Sequence, residues 1–383
     1  MIQAVHHLNL SGERFDVVYH VTGDQESVKD IARDICIEQT IEFPADLIDA
    51  DDDIRHGIMG QVRHTSQLHE DTWEVIISYA IETTGFTLPQ FLNVVFGNIS
   101  IKPNIRVAKL MNLPATLLNH FKGPRFGVAG LRSVVNEPPR ALLCTALKPM
   151  GLSSQALAQQ AYEFAKGGID FIKDDHGLAN QSFAPYRERV IRCAEAVAKA
   201  NQETGYQCRY VPCLSSPMES IMEDALFAKS QEVGGLLIAP GLVGFDTMRA
   251  IADHDDIALP ILAHPSFVGS YVLSPQQGIS HDVLFGQLMR LSGADTSIFP
   301  NYGGRFSFSR EECRAIAEGT QSDMMHIKKS FPSPGGGMTL DRIKEIHDFY
   351  GSDMMFLIGG ALHRGEKGLT ETCSHFREFV EKI

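Results

Sequence analysis

From about residue 140 onward, short apolar runs alternate with amphipathic stretches of helical length, the rhythm of repeated βα units. Eight runs are present: Leu142–Leu147, Ile169–Lys173, Tyr210–Leu214, Leu236–Ala239, Ile261–His264, Ser297–Pro300, a weak one before Gly335, and Met355–Ile358. Eight units within about 245 residues suit a closed parallel barrel, for which ~250 is typical. The first ~130 residues lack that spacing. There Phe15–Val21, Trp73–Tyr79 and Thr87–Gly97 mix strand and helix signals, which predicts a separate α+β domain. Turn-forming residues cluster at Gly123-Pro124-Arg125-Phe126-Gly127, so the expected domains are 1–126 and 127–383. The expected fold class is α/β, a C-terminal (β/α)8 barrel preceded by an α+β domain.

Composition narrows the function. With 34 basic and 47 acidic side chains the formal charge is −13, the wrong sign for a nucleic-acid backbone or an anionic membrane surface. Small-molecule chemistry is favoured. The seven cysteines, Cys36, Cys144, Cys193, Cys208, Cys213, Cys313 and Cys373, are scattered and contain no C-x-x-C pair, which points away from a disulfide framework or structural zinc. Neither a signal peptide nor a membrane-spanning run is apparent, so a reducing cytoplasm is the expected location. The Asn-x-Ser triplets at Asn9, Asn98 and Asn180 are accordingly not read as glycosylation sites, and the acidic run Asp49, Asp51, Asp52, Asp53 is read as a solvated loop.

Active sites of such barrels form at the C-terminal ends of the strands. Here those ends read Thr145-Ala146-Leu147-Lys148-Pro149, Lys173-Asp174-Asp175-His176, His264-Pro265, Pro300-Asn301-Tyr302-Gly303-Gly304-Arg305, Gly335-Gly336-Gly337 and Gly359-Gly360. The glycines after the last two strands either permit tight turns or form a phosphate cradle, where backbone N–H groups approach an anion unobstructed by a Cβ. Neither cluster follows a dinucleotide or Walker pattern. Strand alternation sends Lys173 and Asp175 to one face and Asp174 and His176 to the other. A lysine aimed into a barrel mouth either pairs with a carboxylate or loses its proton and reacts as an amine.

The segment Gly167-Gly168-Ile169-Asp170-Phe171-Ile172-Lys173-Asp174-Asp175-His176, followed by Asn180-Gln181-Ser182-Phe183, resembles the signature of the RuBisCO large-chain family. Further matches follow the family's order: Gly97-Asn98, Lys148-Pro149, His264, Leu291-Ser292-Gly293-Ala294-Asp295, the glycines at 335–337, and Gly359-Gly360. The resemblance implies a ferredoxin-like N-terminal domain. It also implies that Lys173 is carbamylated by CO2 and, with Asp175, holds Mg²⁺, which prefers hard oxygen ligands. Lys148 matches the family's acid/base lysine, whose pKa burial beside a cation would lower. Glu38 and Asn98 match residues that reach the barrel mouth of a partner subunit, which implies a homodimer.

The departures are equally informative. His176 stands where the family's third metal ligand is a glutamate; it is either a nitrogen ligand, better suited to transition ions, or turned away from the metal. Pro265 replaces a phosphate-binding arginine, and Ile298 or Phe299 a phosphate-site histidine, so the second phosphate anchor is missing. Met150 stands near the second lysine of the Lys-Pro-Lys motif, and Arg305 replaces the lysine of the mobile sixth loop. The resemblance is therefore to the non-carboxylating RuBisCO-like proteins. The expected activity is Mg²⁺-assisted enediolate formation from a monophosphorylated keto-sugar or keto-sugar acid, by proton abstraction or loss of CO2, with Lys148 moving the proton. Asn98 tells against the methionine-salvage diketo-methylthiopentyl-phosphate enolase, which is expected to carry a lysine near that position. The competing class is a barrel that has lost catalysis and survives as a binding or regulatory protein.

Overall fold

The computed structural model describes residues 8–49, 52–136, 140–306, 308–366 and 368–383. Asp51 of the acidic run lies outside them. Its neighbours serve local structure, since Asp52 accepts from the Ile54 N–H and Asp53 from the Leu8 N–H. Two compact units are present, one of residues 1–121 with 268–287, the other of 122–267 with 288–383.

The first unit is built on a sheet of β1 (Arg14–Thr22), β2 (Gln61–Gln67), β3 (Thr72–Ala80) and β4 (Ile105–Met111), ordered β4-β1-β3-β2 and antiparallel throughout. A helix, Gln25–Glu38, joins β1 to β2, and another, Leu88–Phe96, lies between β3 and β4. This is the βαββαβ order of a ferredoxin-like fold. Asp24 starts the first helix by accepting from the Glu26 and Ser27 N–H groups. Only three of these six elements carry a strong apolar signal. β2 reads QVRHTSQ and is mostly exposed at the sheet edge, so no alternation betrays it.

One part of this unit departs from the expected 127–383 barrel domain. Residues 268–287 group with the N-terminal unit, and within them the two-residue strand β10 (Gly278–Ile279) pairs in parallel with β4. Arg106 on β4 donates to the Val272 and Ser274 carbonyls, and the Gln277 side chain donates to the Ser100 and Lys102 carbonyls, which ties the insertion to the sheet.

The second unit is the barrel. Its strands are β5 (Leu142–Leu147), β6 (Phe171–Asp174), β7 (Arg209–Val211), β8 (Leu236–Ile238), β9 (Ile261–Ala263), β11 (Thr296–Pro300), β12 (Phe331–Gly335) and β13 (Met355–Ile358). They are ordered β7-β6-β5-β13-β12-β11-β9-β8, all in parallel, and a bridge between Cys213 and Leu237 closes β7 on β8. Every residue of β5 is buried, as expected of a strand enclosed on both faces. Leu142, Cys144, Phe171, Val211, Leu237, Leu262, Ile298, Phe331 and Met355 fill the barrel interior. Ile298 is therefore a core residue, whose apolar side chain offers an anion no donor. No described helix is long and apolar enough to cross a membrane.

Candidate active site

Lys173 is the penultimate residue of β6 and lies one alternation step above Phe171 of the barrel interior. It is only 2 % exposed, and its Nζ donates to the Asp174 carbonyl at 3.1 Å. Burial pulls its amine below the ordinary lysine value, and the opposing pull of Cys144, Asp175 and Cys213 does not restore it. Lys148, at the end of β5, donates to Asp175 Oδ1 at 2.6 Å. Its side chain is 45 % exposed, against the burial expected of it. Desolvation alone would raise the Asp175 carboxyl. Hydrogen bonds with His176 and Lys148 and the charges of Lys173 and Lys148 outweigh it, holding the group well below the usual carboxylate range.

Alternation places Asp174 correctly and His176 wrongly. Asp174 faces outward, fully buried, accepting from Arg189 Nε at 3.0 Å, the Tyr210 hydroxyl at 2.8 Å and the Cys213 N–H at 3.0 Å. It serves the scaffold beneath the site. β6 ends at Asp174, so strand geometry no longer governs His176; its Nδ1 returns to within 3.3 Å of Asp175 Oδ1. The ring also stacks on His264, at the end of β9, with centroids 4.3 Å apart. His264 Nδ1 accepts from the Ser266 N–H and lies 2.9 Å from that residue's hydroxyl. Burial and the nearby cations push the His264 ring down to about 2, so it is neutral.

The other expected residues are placed as follows. Glu38 and Asn98 meet in the first unit, where Asn98 Nδ2 donates to Glu38 Oε1 at 3.1 Å. Arg305 is exposed on the connection after β11, with its guanidinium 4.8 Å from the Phe306 ring centroid and no bond to the Lys148–Asp175 group among the described residues. Gly335 ends β12, and Gly336 and Gly337 follow in the left-handed region, so the tight-turn reading accounts for these two. It does not account for Gly359 and Gly360. Neither has a positive φ, and a Cβ on either would meet nothing within 4 Å. Asn180 of the signature accepts from the Tyr186 N–H and so anchors the start of helix Tyr186–Thr204.

Gln160 was not legible in the sequence. From helix Ser154–Lys166 its side-chain amide accepts from the Lys148 N–H at 2.9 Å and donates to the Lys148 carbonyl at 2.7 Å. Only the helix register relative to β5, which no motif encodes, would have revealed it.

Among the described residues no three His, Cys, Asp or Glu side chains converge as a ready metal cage. The donors that do converge are the Asp175 carboxylate, whose Oδ2 accepts no hydrogen bond among the described residues, and the His176 ring. Beside them stands the buried Lys173 amine, which becomes an oxygen donor if it is carbamylated.

Residues 127–377 match the ribulose bisphosphate carboxylase large chain, catalytic domain. The chain is 39% identical over 365 residues to a 5-methylthioribulose-1-phosphate isomerase of Rhodospirillum rubrum, covering 95% of each. It is 30% identical over 306 residues to a 2,3-diketo-5-methylthiopentyl-1-phosphate enolase of Bacillus cereus, covering 80% of this chain and 74% of the relative. The crystal structure of a Rubisco-like protein from Rhodopseudomonas palustris superposes with a TM-score of 0.87 at 37% identity, covering 97% of this chain and 98% of the other. The chain belongs to the RuBisCO large-chain family.

Proposed function

We propose that this protein is an enolising enzyme acting on a monophosphorylated keto-sugar or keto-sugar acid, without carboxylating ribulose bisphosphate. The observation that carries the reading is the grouping at adjoining strand ends: a buried lysine, an ionised carboxylate and a second, accessible lysine bonded to that carboxylate at 2.6 Å. Relatives named for an isomerase and for an enolase of related phosphorylated substrates support the reaction class.

The depressed amine of Lys173 favours carbamylation, because only the unprotonated nitrogen attacks CO2; a C–N bond forms, one proton leaves to solvent, and the side chain becomes an anion. The carbamate, Asp175 and, in this reading, His176 would hold Mg²⁺, which when bound supplies Lewis-acid polarisation of the substrate carbonyl. Lys148 is the base of this reading: it removes the proton from the carbon beside that carbonyl and returns it to the neighbouring carbon in an isomerisation. His264, neutral and accepting at Nδ1, carries its proton on Nε2 and donates to a substrate oxygen. The glycines at 335–337 and 359–360 cradle the single phosphate. Pro265 and the buried Ile298 leave no second anchor, which disfavours a bisphosphate. Glu38 and Asn98 complete the site of a partner subunit, so the working unit is a homodimer.

The test is turnover of a panel of ketose and keto-acid monophosphates, 5-methylthioribulose 1-phosphate included, with Mg²⁺ and bicarbonate present or withheld. Turnover is expected to need both and to fall at least about a thousandfold in Lys173→Ala. Turnover indifferent to bicarbonate, or surviving in that variant, rejects the carbamate. No turnover by the wild type, combined with tight binding of a panel member, favours a binding protein.

A further inference from the structure

The barrel mouth contains one arginine that the resemblance does not assign and whose surroundings are unusual. Arg342 precedes helix Ile343–Tyr350, and its guanidinium lies where two glycine turns meet. Its Nη1 donates to the Gly337 carbonyl at 3.2 Å, and Nε points to Glu345 at 3.4 Å. A Cβ on Gly337 would fall 2.7 Å from Nη1, and one on Gly303 would fall 3.2 and 3.3 Å from Nη1 and Nη2. Both glycines are left-handed, with φ of +71° and +67° for Gly303 and Gly337. The arginine occupies the notch left by two missing side chains. The two turns also touch directly, since a Cβ on Gly304 would lie 3.2 Å from the Gly336 carbonyl carbon.

These turns follow different strands. Gly303 and Gly304 open the connection after β11 that carries Arg305, and Gly336 and Gly337 follow β12 as part of the proposed phosphate cradle. Arg342 spans both, and Tyr302 braces it, the ring centroid lying 5.6 Å from the guanidinium carbon. Nη2 has no acceptor among the described residues, and the ionic partner of the guanidinium, Glu345 at 3.4 Å from Nε, is itself 45% exposed, so no buried carboxylate neutralises the charge. A planar fork can bridge two backbones in this way where an ammonium cannot.

We infer that Arg342 is the positioning residue of the anion-binding end of the site: it latches the Arg305 connection to the 335–337 turn and sets a fixed positive charge against the cradle that receives the substrate's phosphate ester. The inference rests on the cradle reading above, and the experiment separates the two. Inorganic phosphate is titrated calorimetrically into wild type, Arg342→Gln and Arg342→Lys, and tryptic cleavage after Arg305 is timed in each. Arg342→Gln is expected to weaken phosphate binding about tenfold or more, as loss of a charge-assisted contact does, and to speed cleavage after Arg305 several-fold. Arg342→Lys keeps the charge without the fork, and is expected to bind phosphate about threefold more weakly and still to be cut faster. If the glutamine variant does not fold, the lysine variant alone decides. Wild-type affinity in Arg342→Gln, or unchanged cleavage after Arg305 in both variants, overturns the inference and leaves the cradle standing. Failure of the wild type to bind phosphate overturns the cradle and the inference together.

Discussion

Asp295 is fully buried, and its two carboxylate oxygens accept from three backbone N–H groups: Phe126 and Gly127 on Oδ1, both at 2.7 Å, and Ile261 on Oδ2 at 2.9 Å. It binds the start of helix Gly127–Val135 to the foot of β9, so a residue that the family signature singles out serves the scaffold. Burial raises its carboxyl from an ordinary 3.8 to about 6, and the three donors only partly oppose the rise. The folded state therefore holds this proton more tightly than the unfolded chain does. Its contribution to stability is complete below about pH 4 and is lost as the pH rises through about 6. At about 1.4 kcal/mol per unit, the loss is on the order of 3 kcal/mol. Asp295→Asn cannot titrate, so the stability of the wild type relative to this variant should decline between pH 4.5 and 7; a difference flat in pH would reject the assignment. Lys173 and Asp175 were legible at this scale because the alternation of β6, carried one residue past its end at Asp174, sends both to one face. His176 was not, because the strand stops two residues before it and nothing in the sequence marks that stop.

Among the elements, most barrel strands were readable because a strand buried on both faces appears as an apolar run, whereas β12, which reads FPSPG, gave only a weak signal. The strands of the first unit were readable only in part, and the largely buried β4, IRVAKLM, with a lysine and an arginine in it, was not among those read. β1 and β3 gave a signal, whereas the polar edge strand β2 and the two-residue β10 gave none. The link between helix Ser154–Lys166 and the end of β5 was equally silent, since Gln160 reaches Lys148 through the backbone. Ser153 caps that helix by accepting from the Ala156 N–H at 3.2 Å, so the amide that holds the Lys148 backbone sits on a well-anchored element. Gln160→Leu removes both bonds and keeps the volume. If Lys148 moves the proton, kcat is expected to fall about tenfold while KM stays within about twofold, the split expected when an interaction matters mainly in the transition state. Gln160→Glu, which accepts from the Lys148 N–H but cannot donate to its carbonyl, should fall between the two. A raised KM with unchanged kcat would assign Gln160 to substrate binding instead.

At the scale of the whole molecule, the barrel is sealed at its base by ion pairs between residues remote in sequence. Asp170 stands just before β6. Its Oδ1 accepts from Arg140, just before β5, at 2.7 Å and from Arg377, in the final helix Leu369–Val380, at 2.9 Å. Its Oδ2 accepts from Arg140 at 2.9 Å and from the Leu143 N–H at 2.8 Å. One carboxylate thus joins the entrances of two adjacent strands to the last helix. All three side chains are buried, so their charges are compensated by one another more than by water. Asp170→Ala removes the carboxylate that both guanidinium groups share, although Arg377 keeps its pair with Glu381, and breaking a buried pair from one side costs about 3–5 kcal/mol. The exposed Lys344–Asp348 pair, on the helix before β13, is the natural control. Asp348→Ala should change stability by less than about 0.5 kcal/mol, because water screens that pair. Urea unfolding followed by circular dichroism on the two variants decides the matter. A loss below about 1 kcal/mol in Asp170→Ala would mean that strand pairing alone closes the barrel and that the carboxylate merely satisfies its neighbours.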